Sequence, residues 1–422
     1  LDKLVIKGGR RLRGAVRISG SKNAALPLLA ATLLTDDICA IKNAPTLTDV
    51  DTMAKILRGL GKDVSVSRGV MTVSGRDNKK CRAPYELVST MRGSICVLGP
   101  LAAKRKRAEV SFPGGCVIGP RPIDLHLKGL RDLGIAIKVK NGYIIADAGK
   151  MKGGRVYLGG HFGSSVLATA NVLMASVLAK GRTIIENAAC EPEISDLIVF
   201  LKKMGAKIRG EASHRIEVTG VRRLRGASHT IISDRIEAGT YMLATAITGG
   251  DVFLKNAPYD QLLALIDKLK EAGLEVERKR TGVRLRRARQ LRPVDVTTLP
   301  YPGFPTDLQA QMMAVMTLAG GISVITEKIY PERFIHVSEL SRMGAHIVLE
   351  RPSAIIKGVK GLSGAPVMAS DLRASAALVL AGLAARGETE ISRIYHLDRG
   401  YEKLEKKLGA LGANIKRIHE RP

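Results

Sequence analysis

The sequence predicts an α/β protein built from six copies of one unit, with helices inside and sheets covering them. Three observations carry that prediction. Gly61, Gly134, Gly205, Gly273, Gly344 and Gly412 recur about 70 residues apart, and each closes a helical pattern and precedes a strand pattern. Glycine is the expected residue just past a helix C-terminus, because it accepts the left-handed conformation at little cost. Helical and strand patterns alternate through the chain, and self-similarity at a fixed period outranks other cues to a fold. Finally, the first helix of each unit is apolar nearly all round, as in Ala374 to Ala385, whereas the second is amphipathic, as in Met53 to Leu60. The first belongs inside and the second outside.

Each unit reads as helix, strand, helix, strand, with further strand pieces such as Gly69 to Val73 and Tyr143 to Ala146. An even number of units divides naturally into two domains of three. The polar openings of the buried helices are the informative positions. They are Gly20-Ser21-Lys22-Asn23, Met91-Arg92-Gly93-Ser94, Gly163-Ser164-Ser165, Asp234-Arg235-Ile236-Glu237, Pro305-Thr306-Asp307 and Ser370-Asp371-Leu372-Arg373. Ser, Thr and Asp there serve as caps. Lys22 and Arg92 do not, because a cation opposes the dipole of a helix N-terminus. A bound phosphate or carboxylate relieves that conflict, and so does a salt bridge.

The 422 residues hold 67 basic and 39 acidic side chains, a net charge of +28. Such a charge favours anionic partners. It is clustered at Lys104-Arg105-Lys106-Arg107 and between Arg278 and Arg292, where Val283 and Leu285 alternate with Arg284 and Arg286 as in a strand with one solvated face. Aromatics are only 4% with no Trp, so the cores are aliphatic and a base-stacking platform is disfavoured. Nucleic acid is therefore an unlikely partner despite the charge. The five cysteines, Cys39, Cys81, Cys96, Cys116 and Cys190, are odd in number and lack C-x-x-C spacing, which argues against a disulfide framework or a zinc site and for a reducing cytoplasm. The uncharged stretches Val156 to Ala179 and Leu308 to Thr326 contain Gly, Asn, Gln and His. Each reads as a turn with a short buried helix, so no membrane span is expected.

The segment Pro113-Gly114-Gly115-Cys116-Val117-Ile118-Gly119-Pro120-Arg121-Pro122 predicts a mobile or specially bent loop. A cysteine beside an arginine in such a loop fits a low-pKa thiol, although most cysteines are buried and inert. This loop, Ser21-Lys22-Asn23-Ala24-Ala25, Asp234 to Thr240, Phe304-Pro305-Thr306-Asp307 and Asp371-Leu372-Arg373-Ala374-Ser375 together resemble the enolpyruvyl transferases that act on UDP-N-acetylglucosamine, from Lys3 to about Lys416. The related 3-phosphoshikimate enolpyruvyl transferases share the architecture but lack the cysteine loop. A non-catalytic, nucleic-acid-binding protein on this fold would be expected to have lost Lys22, Cys116, Asp307 or Arg399, and all four are present.

The resemblance implies a two-domain inside-out α/β barrel, with residues 22–231 forming one domain and residues 1–21 plus 232–422 the other, and the active site in the cleft between them. It implies transfer of the enolpyruvyl group of phosphoenolpyruvate to the 3-hydroxyl of UDP-N-acetylglucosamine, at the start of peptidoglycan synthesis, with no metal or organic cofactor. By similarity Lys22, Arg121 and Arg399 hold phosphoenolpyruvate, while Asn23 and Asp307 contact the sugar and Asp307 is placed to take the hydroxyl proton. The uridine diphosphate meets Arg92, Arg121, Pro122, Ile123, Asp124, Leu125, Ser164, Ser165, Val166 and Ile329, with Arg333, Asp371 and Arg373 as further cleft residues. Cys116 matches the cysteine that acts as an acid and is alkylated by fosfomycin. The run Gly160-His161-Phe162-Gly163 lacks a basic residue found near the diphosphate in some relatives, and Leu167 replaces a common Gly.

Overall fold

In a computed structural model of the protein, residues 2–75, 80–114, 123–161, 163–287 and 289–419 are described. Cys116, Arg121 and Pro122, with the predicted loop from Gly115 onward, lie outside these residues.

The chain forms two compact units, the described residues of Gly20–Cys116 and Pro120–Ile232 in one, and those of Leu1–Ser19 and Ser233–Pro422 in the other. Each has its own apolar core. Leu28, Met53 and Phe200 are among the buried residues of the first, and Leu4, Tyr241 and Leu380 among those of the second.

At the centre of the first unit lie the helices Lys22–Ala31, Leu98–Arg105 and Val166–Ser176. At the centre of the second lie Arg235–Thr248, Gln309–Met316 and Leu372–Ala384, which pack on one another. Arg235–Thr248 is buried along its whole length, as a helix without a polar face must be. The amphipathic helices lie outside. In Thr48–Gly59, Val50, Met53, Ala54, Ile56 and Leu57 face inward on a helical period. The glycines that end these outer helices have the positive φ their position requires, from 75° at Gly134 to 103° at Gly205.

Sheets cover the buried helices with one recurring topology. In the first, Ser228–Thr230 runs parallel to Cys39–Lys42, which pairs antiparallel with Val70–Ser74, which pairs antiparallel with Asp63–Ser67. The last two form a hairpin through Arg68 and Gly69, both at positive φ, the geometry whose twist matches paired strands. Four other sheets repeat the order. In the three-stranded sheet of Arg107–Ser111, Tyr143–Asp147 and Ala136–Lys140, the parallel edge is reduced to a bridge between Arg82 and Glu109. The buried helix of this repeat and that of the fifth are each preceded by a tight 3₁₀ turn, Arg92–Val97 and Thr306–Leu308. Arg92 thus opens one turn and Asp307 lies inside the other, and neither is a helix cap.

The edge strands are exchanged between distant parts of the sequence. Arg13–Arg17 pairs with Asp251–Lys255, and Ser228–Thr230 with Cys39–Lys42. The chain ends that leave and enter each unit are pinned within it. In one unit Ser21 N–H donates to Ile232 C=O at 2.8 Å, and buried Asp196 accepts from His229 at 2.8 Å and from Ile232 N–H at 3.4 Å. In the other Asp234 N–H donates to Ser19 C=O at 2.8 Å, and buried Glu237 accepts from Ser19 N–H and Lys407, each at 2.6 Å. Burial pushes the Glu237 carboxyl up, opposed by Lys407.

Among the described residues no helix is long and apolar enough to cross a membrane. The two uncharged stretches fold as short strands and helices, Arg155–Tyr157 with Val166–Ser176, and Gln309–Met316 with Ile322–Thr326. Two cations of the run at Lys104 are paired locally, Lys104 with Asp36 and Arg107 with Glu109.

His126 is fully buried, and burial first, then the Arg92 charge, lowers its pKa to about 3. Its folded value lies below the unfolded one of about 6.5, so its contribution to stability is complete above pH 6.5 and is lost as pH falls toward 3. Unfolding free energy is expected to drop by about 1.4 kcal/mol per pH unit from this group below pH 6. Urea titrations at pH 7 and pH 5 of the protein and of His126→Gln check this: the variant should show a smaller drop by about 2 kcal/mol, and equal drops would place the dependence elsewhere.

Candidate active site

In the unit Gly20–Ile232, Ser21 caps the helix Lys22–Ala31, its hydroxyl accepting from Ala24 N–H at 3.3 Å. Lys22 begins that helix, and its Nζ lies 3.2 Å from Oδ2 of buried Asp49, in the first turn of Thr48–Gly59. The salt bridge accounts for a cation at a helix N-terminus. It also fixes the ammonium in one place, with Asn23 beside it and half-buried. Ser165 caps Val166–Ser176 in the same way, with Ala168 N–H donating to it at 3.3 Å.

Asn171, at the middle of that helix, is the hub of this group. Its amide nitrogen donates to Ile95 C=O and to His126 Nδ1, each at 2.9 Å, and its oxygen accepts from Gly99 N–H at 2.8 Å. Ile95 lies in the turn Arg92–Val97, and His126 in the helix Asp124–Asp132. One buried amide therefore holds together the segments that carry Arg92, Asp124 with Leu125, and Ser164 to Val166. Gly159–Gly160 pairs with Gly163–Ser164, and a Cβ on Gly160 would lie 3.0 Å from Leu125 Cδ1, so this small ribbon rests on Leu125. Ile123 is buried and precedes the helix, while Asp124 is exposed at its first turn.

In the other unit the centre is Asp307. Arg333 donates to Oδ1 at 2.9 Å and Arg373 to Oδ2 at 3.0 Å, and both guanidinium groups are buried. Asp307 keeps 28% of its side-chain surface exposed, so the clamp leaves part of the carboxylate open. Burial alone would lower the Arg373 pKa, but Asp307 above all, with Tyr401 and Asp234, raises it and keeps the group charged. Asp371 caps Leu372–Ala384, accepting from Arg373 N–H at 2.8 Å and Ala374 N–H at 3.1 Å. Behind these, His336 is buried and its pKa is lowered to about 4, by burial and Arg333 against the pull of Asp371. Arg399 closes the turn Ile394–Arg399, half-buried, and its charge helps burial depress His396.

Glu327 is the second hub. It is fully buried, and its Oε1 accepts from Thr298 at 2.7 Å, Ile329 N–H at 2.8 Å and Tyr330 N–H at 2.9 Å, while Oε2 accepts from Thr306 at 2.9 Å. Arg333 reaches both Thr306 and Asp307, so Glu327 ties the Ile329 turn to the carboxylate clamp. Neither Glu327 nor Asn171 stands out in the sequence as a site residue. Asn171 sits in an apolar run where only its polarity gives a signal, and Glu327 sits beside Lys328 like an ordinary surface charge.

Cys39, Cys81, Cys96 and Cys190 carry free thiols. Burial pushes Cys39 up, and Cys96 up to about 12, as expected of inert core thiols. Among the described residues no cluster of His, Cys, Asp or Glu is arranged to hold a metal ion.

These helix ends with arginine-clamped carboxylates, on a sixfold repeat, define an enolpyruvyl transferase. The family model described as EPSP synthase (3-phosphoshikimate 1-carboxyvinyltransferase) matches residues 6–408. The fold is that of the enolpyruvyl transferase NikO from Streptomyces tendae, with a TM-score of 0.88 at 24% identity over 99% of this chain and 98% of that one. EPSP synthase from Acinetobacter baumannii gives a TM-score of 0.76 at 19% identity over 99% and 100% of the two chains. Much higher identity is found to the UDP-N-acetylglucosamine 1-carboxyvinyltransferases of Methylacidiphilum infernorum (51% over 421 residues, 100% of both chains) and Myxococcus xanthus (53% over 421 residues, 99% of both). The chain belongs to the UDP-N-acetylglucosamine 1-carboxyvinyltransferase family, and it is a transferase.

Replacing Glu327 by Leu leaves four donors without their acceptor. The variant is expected to lose about 3 kcal/mol of stability and to bind the sugar nucleotide more weakly through the displaced Ile329 turn. Thermal unfolding and calorimetric titration check both effects. A variant that melts early with unaltered affinity would confine Glu327 to the fold.

Proposed function

We propose that the protein transfers the enolpyruvyl group of phosphoenolpyruvate to the 3-hydroxyl of UDP-N-acetylglucosamine and releases phosphate, as the first committed step of peptidoglycan synthesis. The observation that carries this is full-length identity of 51–53% to relatives bearing that name. In the reaction a proton adds to the methylene carbon of phosphoenolpyruvate while the sugar oxygen bonds to the adjacent carbon and loses its proton. The tetrahedral ketal phosphate then loses phosphate from that carbon and a proton from the new methyl group, which restores the double bond.

Both substrates are polyanions, and the residues in question are mostly cations or helix N-termini. Lys22, Arg121 and Arg399 are assigned to phosphoenolpyruvate. Arg92, the run Arg121 to Leu125, Ser164 to Val166 and Ile329 are assigned to uridine diphosphate, and Asn23 to the sugar. Fixed donors aimed at developing charge are the usual large term in such catalysis. Asp307 is assigned to the 3-hydroxyl. Its oxygens are already shared with Arg333 and Arg373, which supports a positioning hydrogen bond. Arg373 and Asp371 serve the carboxylate and its helix. We assign the two groups of residues, one from each unit, to a single active site, with the cytoplasm as its compartment.

Phosphate release with UDP-N-acetylglucosamine or with shikimate 3-phosphate as acceptor tests the reading: only the first is expected to support turnover, and the reverse outcome would make the protein a 3-phosphoshikimate enzyme. Lys22→Ala is expected to lose at least 100-fold in turnover, about 2.7 kcal/mol, with binding of the sugar nucleotide kept. If Asp307→Asn keeps substantial turnover, Asp307 orients the hydroxyl and is not the base. Cys116 is assigned as the acid and as the target of fosfomycin. Intact-mass spectrometry should find one adduct, on Cys116, formed faster with UDP-N-acetylglucosamine present. Cys116→Asp, which can still deliver a proton, should stay active and unmodified, and an adduct on another cysteine would remove Cys116 from this role.

A further inference from the structure

The sheet of Arg13–Arg17, Asp251–Lys255, Gly282–Arg287 and Leu274–Lys279 carries the arginine-rich run that the reaction does not use. Strand alternation turns Val252, Leu254, Val283 and Leu285 into the core and leaves Phe253, Arg284 and Arg286 on the outer face. A groove of about 900 Å³ opens on this face, lined by seven cationic side chains, one carboxylate (Asp251) and no aliphatic side chain. Its floor includes Gly249, where a Cβ would fall 2.7 Å from the Arg287 guanidinium. A second groove of about 390 Å³ shares Lys279 to Thr281 with the first and runs on to Tyr259, with Arg278 lying 5.6 Å above its ring.

Local acids satisfy only part of this charge. Asp251 pairs with Arg284 at 2.9 Å, Glu275 with Arg286 at 3.1 Å, and Glu277 with Lys279. Arg287 donates to Ala246 C=O at 2.9 Å, and its pKa is lowered by burial and by the nearby charge of Arg11. Arg11, Arg13 and Arg280 have no ion pair among the described residues. Planar guanidinium groups that outnumber the carboxylates beside them are suited to phosphate oxygens, which they meet in pairs of hydrogen bonds.

We infer that this track binds single-stranded nucleic acid, its phosphates on Arg11, Arg13 and Arg280 and a base stacked on Phe253. The track is open and continues from one groove into the next, as a polymer requires. A duplex keeps its bases stacked on one another and would leave Phe253 unused. An anionic bilayer or an apolar protein interface would call for aliphatic anchors that the first groove does not have. Scarcity of aromatics in the whole chain argued against such a partner, but the two that bear on it, Phe253 and Tyr259, line these grooves. Long-range attraction from the net charge of +28 would speed the encounter.

Fluorescence anisotropy of a labelled 20-nucleotide oligouridylate with the full chain tests the inference. Three unpaired arginines give an expected log–log salt slope of about −2. A triple Arg11→Gln, Arg13→Gln, Arg280→Gln variant should bind at least tenfold more weakly. Phe253→Ala should bind severalfold more weakly with the salt slope unchanged, and both variants should release phosphate at the normal rate. A control of equal charge on the other unit, Arg68→Gln with Lys138→Gln and Lys140→Gln, should bind within twofold of the parent. Equal loss in the control would reduce the effect to net charge and overturn the site. So would unchanged affinity in the triple variant, or capture by phosphatidylglycerol vesicles that the triple variant loses while Phe253→Ala leaves oligonucleotide binding intact.

Discussion

A helix that is apolar on every side has to be covered on every side, and the structure follows from that constraint. Three such helices in each unit cover part of one another, and the sheets and amphipathic helices cover the rest. What packing cannot satisfy is the helix termini, where backbone N–H groups stay unpaired. Polar residues therefore collect there: Ser21, Ser165, Asp234 and Asp371 as caps, and Lys22, Arg92 and Asp307 at the same openings without capping. Burial of the helices and concentration of chemistry at their N-termini are one solution to one problem.

Precision at these openings comes from a few buried polar groups behind them. Asn171 and Glu327 are assigned to neither substrate, yet each binds several segments that carry assigned residues. A buried polar group is costly unless each of its hydrogen bonds is made, so such a hub admits one arrangement of its neighbours. His126 belongs to this scheme as a neutral acceptor, a role that its burial and the Arg92 charge enforce.

The period of the fold was legible because glycine at Gly61 and its five counterparts is demanded by backbone geometry, which leaves a mark in every copy. Helix openings were legible for the same reason, since Ser21 or Asp371 in front of an apolar run is a local signal. The 3₁₀ turns at Arg92 and Thr306 were not, because tertiary packing sets them. Lys22 showed its conflict with the helix dipole in the sequence, but nothing there pointed to Asp49, 27 residues away, as the partner. Asn171 with Ile95, Glu327 with Thr298 and Thr306, and the clamp of Arg333 and Arg373 on Asp307 join residues from 21 to 76 positions apart, and no spacing rule reaches that far. The family motifs carried Arg333 and Arg373 into the site, whereas the two hubs had neither motif nor periodicity to mark them.

The exchange of edge strands bears on how the chain is made. Asp2–Lys7 is synthesised long before the two strands it pairs with, Glu388–Ser392 and Asn414–His419. At a synthesis rate of roughly 5–20 residues per second, that strand waits on the order of 20–80 s for its neighbours. The unit Gly20–Ile232 can meanwhile close its own sheets as soon as Ser228–Thr230 has emerged to pair with Cys39–Lys42. Birth order thus sets folding order. One half of the molecule is complete while the other still holds an unpaired hydrophobic strand, and during that interval the nascent chain is most exposed to aggregation and most dependent on chaperones.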